Sequence, residues 1–131
     1  MTRRLATCAC GQLRAEVQGE PLRVSVCHCL DCQRRTGSLF GAQARFPAAA
    51  VDLQGQWREW SRVGDAGSRA DFFFCPQCGS TVGWRFAGQA DQIALAVGAF
   101  ADPQFPAPTV SVYEERMHGW VGLPAAMEHI D

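Results

Sequence analysis

The sequence contains no lysine and no asparagine, and all 12 of its basic residues are arginine. The codons of both missing residues are rich in adenine, so we interpret their absence as a feature of genome composition before one of function. No basic tail or cationic block is present, and the formal net charge of the 131 residues is −1. This charge pattern does not favour binding to nucleic acid or to an anionic membrane surface.

The chain also lacks an apolar run of about 20 residues, the length that a transmembrane helix needs. The arginine pair Arg3-Arg4 is not followed by an apolar segment, so it does not indicate an export signal. We therefore expect a cytoplasmic protein whose thiols stay reduced. The length predicts one domain, residues 1–131 with a core over about 5–124, that buries roughly two-thirds of its unfolded surface.

The seven cysteines fall in clusters, and none stands alone. Their odd number, the lack of an export signal and two Cys-x-Cys units argue against a disulfide framework. Buried, inert cysteines would be scattered along the chain. The pattern therefore indicates metal binding. The clusters are the pair Cys8 and Cys10, the triplet Cys27, Cys29 and Cys32, and the pair Cys75 and Cys78.

Zinc coordination suggests how these thiols divide. A structural zinc site has four protein ligands, whereas a catalytic zinc usually has three and keeps one position open. The two pairs would form a closed four-thiolate site, and the triplet an open three-thiolate site. Spacing alone does not force this division, because one pair could instead join two members of the triplet. We prefer four plus three, with two zinc ions per chain, because no thiol is then left over.

Short apolar or alternating segments recur between turn residues along the chain. This spacing predicts a mainly β domain with short helical turns. Asp31 is predicted to cap a helical turn that stops at Gly37, and Gly41 is predicted to allow a backbone or ligand to approach closely. The predicted strands cover residues 13–17, 24–26, 38–46, 51–53, 56–61, 71–74, 81–86, 92–100 and 110–113, with a helical turn at 114–120 and a tail from Leu123.

The order and spacing of the motifs resemble a known family. The motifs are Cys8-Ala9-Cys10-Gly11, the segment from Cys27 to Arg34 with Gly37-Ser38, Phe74-Cys75-Pro76-Gln77-Cys78-Gly79-Ser80, the strand from Ile93 to Phe100 followed by Asp102, and Trp120. From Cys8 to about Pro124 the chain is similar to the glutathione-dependent formaldehyde-activating enzyme family, which also includes centromere protein V.

The resemblance implies a fold of several coiled antiparallel sheets held by a structural zinc. It implies that Cys8, Cys10, Cys75 and Cys78 bind that zinc, and that Cys27, Cys29 and Cys32 bind a second, catalytic zinc. It also implies condensation of glutathione with formaldehyde, which is carbon–sulfur lyase chemistry in reverse. The expected partners are a small thiol, with glutathione as one candidate, and a small aldehyde.

Three side chains outside the cysteine clusters are candidates for this chemistry. Arg34 and Arg35 follow the triplet directly, and either could offset the charge of three thiolates or bind a substrate carboxylate bidentately. A solvated side chain, or an ion pair with an acidic neighbour, is the competing interpretation for each arginine. His118 is the candidate proton-transfer group or fourth metal ligand, whereas His28 is predicted to point away from the metal.

Three functions are compatible with these features. The first is a zinc-dependent carbon–sulfur lyase that acts on the adduct of a thiol with a small aldehyde. The second is a non-catalytic, zinc-stabilised interaction module, and the third is a redox-sensing zinc switch whose triplet loses metal on oxidation. The triplet favours the first function over the second, because a purely structural module has no need of an open metal position.

Overall fold

The computed structural model describes residues 2–64 and 67–130, and most of the regular structure within them is strand. The prediction of a mainly β fold with short helical turns is confirmed. One α-helix of seven residues, α1, is present in these ranges, and none of their helices is long and apolar enough to cross a membrane. The elements are β1 (Arg3–Thr7), β2 (Arg14–Gln18), β3 (Arg23–Cys27), α1 (Leu30–Thr36), β4 (Gly41–Pro47), β5 (Val51–Gln54), β6 (Arg58–Val63), β7 (Arg69–Phe74), β8 (Thr81–Phe86), β9 (Gln92–Ala96), β10 (Val110–Val112) and β11 (Glu128–Ile130), with short 3-10 helices at Ala48–Ala50, Val97–Phe100 and Glu114–Arg116.

These strands form two open sheets in the described part of the chain. The smaller sheet has the order β1-β2-β5, and the larger has the order β11-β10-β3-β4-β9-β8-β7-β6. Strand β10 runs parallel to both of its neighbours, whereas the other pairs are antiparallel. The expectation of coiled antiparallel sheets is therefore corrected, because the sheets are open and the larger one is mixed.

Several predicted elements differ from the structure at their ends. The strand predicted at 81–86 coincides with β8. The strand predicted at 92–100 stops at Ala96, and the 3-10 helix Val97–Phe100 follows; its C-cap residue is Ala101, whose φ of 49° lies in the left-handed region. Strand β1 was not predicted. The predicted tail from Leu123 contains β11, which extends the larger sheet beside β10.

The hydrophobic core lies between the two sheets. Ala15 and Val17 of the smaller sheet pack in one buried cluster with Val24, Ala44 and Phe46 of the larger sheet. Alternating strand residues point to opposite faces, so every second residue of β3 and β4 is committed to this core. The intervening residues of both strands are left for the other face of the larger sheet.

That other face carries polar and sulfur-bearing side chains. Strands β3 and β4 pair so that Cys27 lies opposite Gly41 and Arg23 lies opposite Arg45. All four positions face away from the core because of the strand alternation. Helix α1 begins shortly after Cys27 and contacts β4, so the helix and this face together can enclose a site.

Candidate functional site

Two turns that are far apart in sequence form the first cluster of thiols. Cys8 and Cys10 follow β1, whereas Cys75 and Cys78 lie between β7 and β8. The four sulfur atoms all lie within 4.8 Å of one another. The Sγ atom of Cys10 is 3.6 Å from that of Cys8 and 3.7 Å from that of Cys75. The structure thus groups the two pairs together, and this cluster could hold a metal ion.

Hydrogen bonds favour the thiolate form of Cys75 and Cys78 in the first cluster, whereas the pKa of Cys10 is raised to about 11. The side-chain amide of Gln12 donates to the Sγ of Cys75 at 3.0 Å, and the backbone N–H of Gln77 donates to the same sulfur at 3.4 Å. A hydrogen bond with Ser80 lowers the pKa of Cys78 to about 5. Four clustered sulfur atoms with N–H donors around them fit a thiophilic divalent cation such as zinc.

Strand β3 and helix α1 position the second cluster. Cys27 is the last residue of β3, and Cys29 and Cys32 lie at the start of α1, with all three sulfur atoms within 4.8 Å of one another. The backbone N–H of Cys32 donates to the Sγ of Cys29 at 3.3 Å. Cys29 therefore caps the helix, and the predicted cap at Asp31 is wrong. Gly37 ends the helix as predicted, with a φ of 69°.

The surroundings of the triplet favour the thiolate form of Cys29. Hydrogen bonds from the thiols of Cys27 and Cys32 lower the pKa of Cys29 to about 2, and the guanidinium of Arg62 acts in the same direction. The hydrogen bond with Cys29 raises the pKa of Cys27. Three adjacent sulfur atoms, one of them with a lowered pKa, fit a metal that binds cysteine as thiolate and releases protons.

The triplet lies in the wall of a cavity of about 280 Å³. One side of the cavity is the face of the larger sheet that points away from the core, and its aromatic lining is Phe72, Trp84, Phe86 and Tyr113. Small-molecule sites usually have volumes of about 300–1,000 Å³. The cavity therefore fits a small ligand that can reach the thiols.

The charged side chains around this cavity are mainly positive. Four arginines line it, and Asp31 is the only carboxylate among its described lining residues. Asp31 is occupied by an ion pair with Arg62, whose Nη1 lies 3.0 Å from the carboxylate. No carboxylate in the described ranges lies within ion-pair distance of Arg23, Arg35 or Arg45. This surplus of guanidinium groups fits an anionic ligand.

The structure separates the two adjacent arginines of α1. Arg35 lines the cavity, with its guanidinium 4.4 Å from the ring centroid of Trp84, whereas Arg34 is exposed and is not among the described lining residues. A β-carbon added at Gly41 would lie 2.8 Å from Nη2 of Arg35 and 3.6 Å from the Sγ of Cys32. The close approach predicted at Gly41 is therefore made by the Arg35 side chain, which lies beside the thiols.

The two histidines considered for the site lie outside the cavity lining. His118 is exposed, and its Nε2 is 3.0 Å from the side-chain oxygen of Gln33 on α1. His118 therefore contacts helix α1 and is not among the described lining residues, and its assignment to proton transfer or metal binding stays a prediction. His28 is fully buried, and its Nε2 lies 3.0 Å from the hydroxyl of Ser111. Burial lowers the pKa of His28, and its ring contacts β10 rather than the triplet.

Several residues of the site were missed by the sequence analysis. Arg23 lies four residues before Cys27, and Arg45 lies four residues after Gly41. Even spacing along a strand places side chains on one face, so this signal was present in the sequence. The pairing of β3 with β4, which brings the two arginines together, was not. The contact of Gln12 with the first cluster likewise depends on tertiary structure.

Comparisons with known proteins relate the chain to one solved structure and to one protein family. A crystal structure of a Rhodobacter sphaeroides protein is similar in fold, with a TM-score of 0.57, 20% sequence identity, and coverage of 72% of this chain and 85% of that chain. No curated protein matched the sequence. The family model of the glutathione-dependent formaldehyde-activating enzyme matches residues 3–116, which include all seven cysteines. The chain belongs to the glutathione-dependent formaldehyde-activating enzyme family.

Proposed function

We propose that the protein is a zinc-dependent carbon–sulfur lyase of the cytoplasm that acts on the adduct of a thiol with a small aldehyde such as formaldehyde. The observation that carries this proposal is the position of three clustered thiols in the wall of an arginine-lined cavity. A purely structural metal site has no need of such a cavity. Family membership supports the chemistry, and glutathione is one candidate for the thiol.

The two clusters have different roles in this proposal. Cys8, Cys10, Cys75 and Cys78 hold a structural zinc with no open position. The triplet would hold a second zinc, which would supply an open coordination position for the sulfur of a thiol substrate and favour its thiolate form. A free thiol is only a few per cent ionised at neutral pH, so the triplet is where the nucleophile becomes available.

Arg35 binds and orients the substrate. Its guanidinium stacks against Trp84 and Phe72, at 4.4 and 5.4 Å from their ring centroids. This stacking holds the planar group in place, so little side-chain freedom is lost when it binds a ligand. Because the group lies beside Cys32 and has no described carboxylate partner, it is free to bind a carboxylate of the thiol substrate.

Bonds and protons balance in both directions of the reaction. In the lyase direction the hydroxyl proton of the hemithioacetal passes to solvent, the carbon–sulfur bond breaks and its electron pair stays on sulfur. Thiolate and aldehyde are the products. In the reverse direction the thiolate adds to the aldehyde carbon, and the alkoxide oxygen takes a proton from solvent. This proposal assigns the proton to solvent, and the described residues that line the cavity include no histidine.

Zinc-loaded wild-type protein is expected to accelerate exchange between formaldehyde and at least one thiol above the uncatalysed rate. Exchange is measured by NMR for a panel of thiols that includes glutathione. Spontaneous adduct formation is fast, so the background is measured in the same buffer. The proposal is wrong if no thiol is exchanged above background and no thiol changes the visible spectrum of protein with cobalt in the second site. The zinc-stabilised interaction module would then be the better account.

Arg35→Gln is expected to raise the KM for carboxylate-bearing thiols by about 10- to 100-fold, because a charge-assisted hydrogen bond contributes about 1.5–3 kcal/mol. The KM for a neutral thiol such as mercaptoethanol should change little. Arg34→Gln is the matched control, since it removes the same charge from the exposed side of the same helix. Equal effects of the two substitutions, or an equal loss for neutral thiols, would contradict the role given to Arg35.

A further inference from the structure

We propose that Arg23 and Arg45 form a second anion-binding subsite, which takes a carboxylate or phosphate at the far end of an elongated thiol substrate. The inference rests on the proposed function, because the bound group belongs to that substrate. It assigns a specificity role to two cavity residues that lie away from the thiols.

The two arginines face each other across a pair of strands. Arg23 of β3 lies directly opposite Arg45 of β4, and both side chains line the cavity. Like charges directly opposite each other on one face of a sheet destabilise the pair. In residues 2–64 and 67–130 no carboxylate within ion-pair distance offsets this repulsion. A bound anion between the two guanidinium groups would do so.

The side chains of Arg23 and Arg45 each have a buried N–H donor with no acceptor among the described residues, which also favours a bound anion. The Nε atoms of Arg23 and Arg45 are buried, and neither has a hydrogen-bond partner among the described residues. A buried polar group without a partner is costly to the folded state. A carboxylate or phosphate in the cavity can accept hydrogen bonds from both guanidinium groups at once.

The neighbours of Arg45 hold it in place. Its guanidinium carbon lies 4.9 Å from the ring centroid of Phe86, and its Nη1 lies 3.4 Å from the side-chain oxygen of Gln89. Burial and the nearby Arg23 lower the pKa of Arg45, which reflects the unfavourable surroundings of its positive charge. A bound anion would raise the pKa of Arg45 again. Because its neighbours hold the Arg45 side chain in place, little conformational entropy is lost when it binds the anion.

The distance from the thiols sets the length of the ligand. Arg23 precedes Cys27 by four residues on β3, and Arg45 follows Gly41 by four residues on β4, which corresponds to a Cα separation of about 13 Å. Arg35, in contrast, lies beside the thiols. A short thiol bound at the triplet can therefore contact Arg35 but not Arg23 or Arg45. A thiol whose anionic group lies on the order of 10 Å from its sulfur can also contact Arg23 and Arg45.

The test measures how affinity depends on ligand charge and length, using the full-length, zinc-loaded protein. The ligands are mercaptopropionate, mercaptooctanoate, mercaptooctyl phosphate and the neutral mercaptooctanol, and binding is measured by calorimetry. Wild type is expected to bind one or both of the long anions at least about tenfold more tightly than mercaptooctanol. The anion that shows the larger preference identifies the chemical group that the pair takes.

In the variant Arg23→Gln/Arg45→Gln, this preference should fall below about twofold, while the affinity for mercaptopropionate changes little. The control variant Arg14→Gln/Arg58→Gln removes the same charge from two exposed positions and should keep the wild-type preference. The ligand-free double variant should melt at or above the wild-type temperature, because a repulsion has been removed. If the double variant does not fold, Arg23→Gln alone is measured against the same criteria.

Exchange with formaldehyde is assayed on the same samples, so that the two proposals can fail separately. A length-dependent charge preference that is lost in the double variant supports the subsite, even if no sample exchanges formaldehyde. If wild type exchanges formaldehyde and the double variant keeps the preference for the long anions over mercaptooctanol, the lyase proposal stands and the subsite proposal is wrong. Equal affinity of wild type for mercaptooctanoate, mercaptooctyl phosphate and mercaptooctanol also overturns it. A double variant that binds all four ligands more weakly than wild type and melts at a lower temperature would also contradict the subsite proposal.

Discussion

Cys75→Ser is expected to abolish the folded protein. Cys75 is fully buried, and its sulfur lies 3.7 Å from that of Cys10, which is 65 residues away in sequence. The cluster therefore ties the turn after β1 to the turn between β7 and β8. The metal-binding energy of a structural zinc site is about 10 kcal/mol or more, whereas the whole stability of a domain is about 5–15 kcal/mol. The loss of one of the four thiolate ligands should therefore remove most of the free energy of unfolding of the domain.

The loss is measured by the yield of soluble protein, the far-ultraviolet circular dichroism spectrum and the melting temperature. Metal content is determined on any protein that remains soluble. A Cys75→Ser protein with the wild-type spectrum and melting temperature would show that the first cluster does not stabilise the fold. Chelation of the wild-type protein should reproduce the effect of the substitution, because it removes the same binding energy.

Cys29→Ser is expected to leave a folded protein that has lost its second zinc and its exchange activity. The triplet closes only a short local loop between β3 and α1, so its loss removes little constraint from the unfolded chain. Serine is also a good helix N-cap, so its hydroxyl can accept the hydrogen bond from the N–H of Cys32 that Cys29 now accepts. The substitution therefore removes a metal ligand without removing the cap.

Metal analysis under reducing, zinc-replete conditions should return about two zinc ions per chain for wild type and about one for Cys29→Ser. The melting temperature of the variant should fall by a few degrees at most, and exchange between formaldehyde and thiols should fall to the uncatalysed rate. Two retained zinc ions, or full activity with one, would contradict the role of the triplet. Unfolding equal to that of Cys75→Ser would reject the division between a structural and a catalytic cluster.

The sequence by itself determined the features that depend on local spacing. Cys27, Cys29 and Cys32 lie within six residues, so the turn that links them can bring their sulfur atoms together without any distant contact. Gly37 ended the helix as predicted, because the left-handed conformation at that position favours glycine. Strand β8 was predicted as the return strand of the hairpin whose turn contains Cys75 and Cys78, and it is confirmed at Thr81–Phe86. The helix cap was assigned to Asp31 rather than Cys29, because thiols are not among the usual capping side chains.

Tertiary structure decided which side chains meet in the cavity. Arg34 and Arg35 are equivalent in sequence, and only the docking of α1 on β4 turned Arg35 inward over Trp84. Arg23 and Arg45 became neighbours through the register of β3 and β4, the two strands on either side of α1 in the sequence. Such pairings are fixed by the burial of a shared apolar face and not by local propensity. The sequence therefore identified the thiols, and the fold placed around them the positive charge that indicates an anionic substrate.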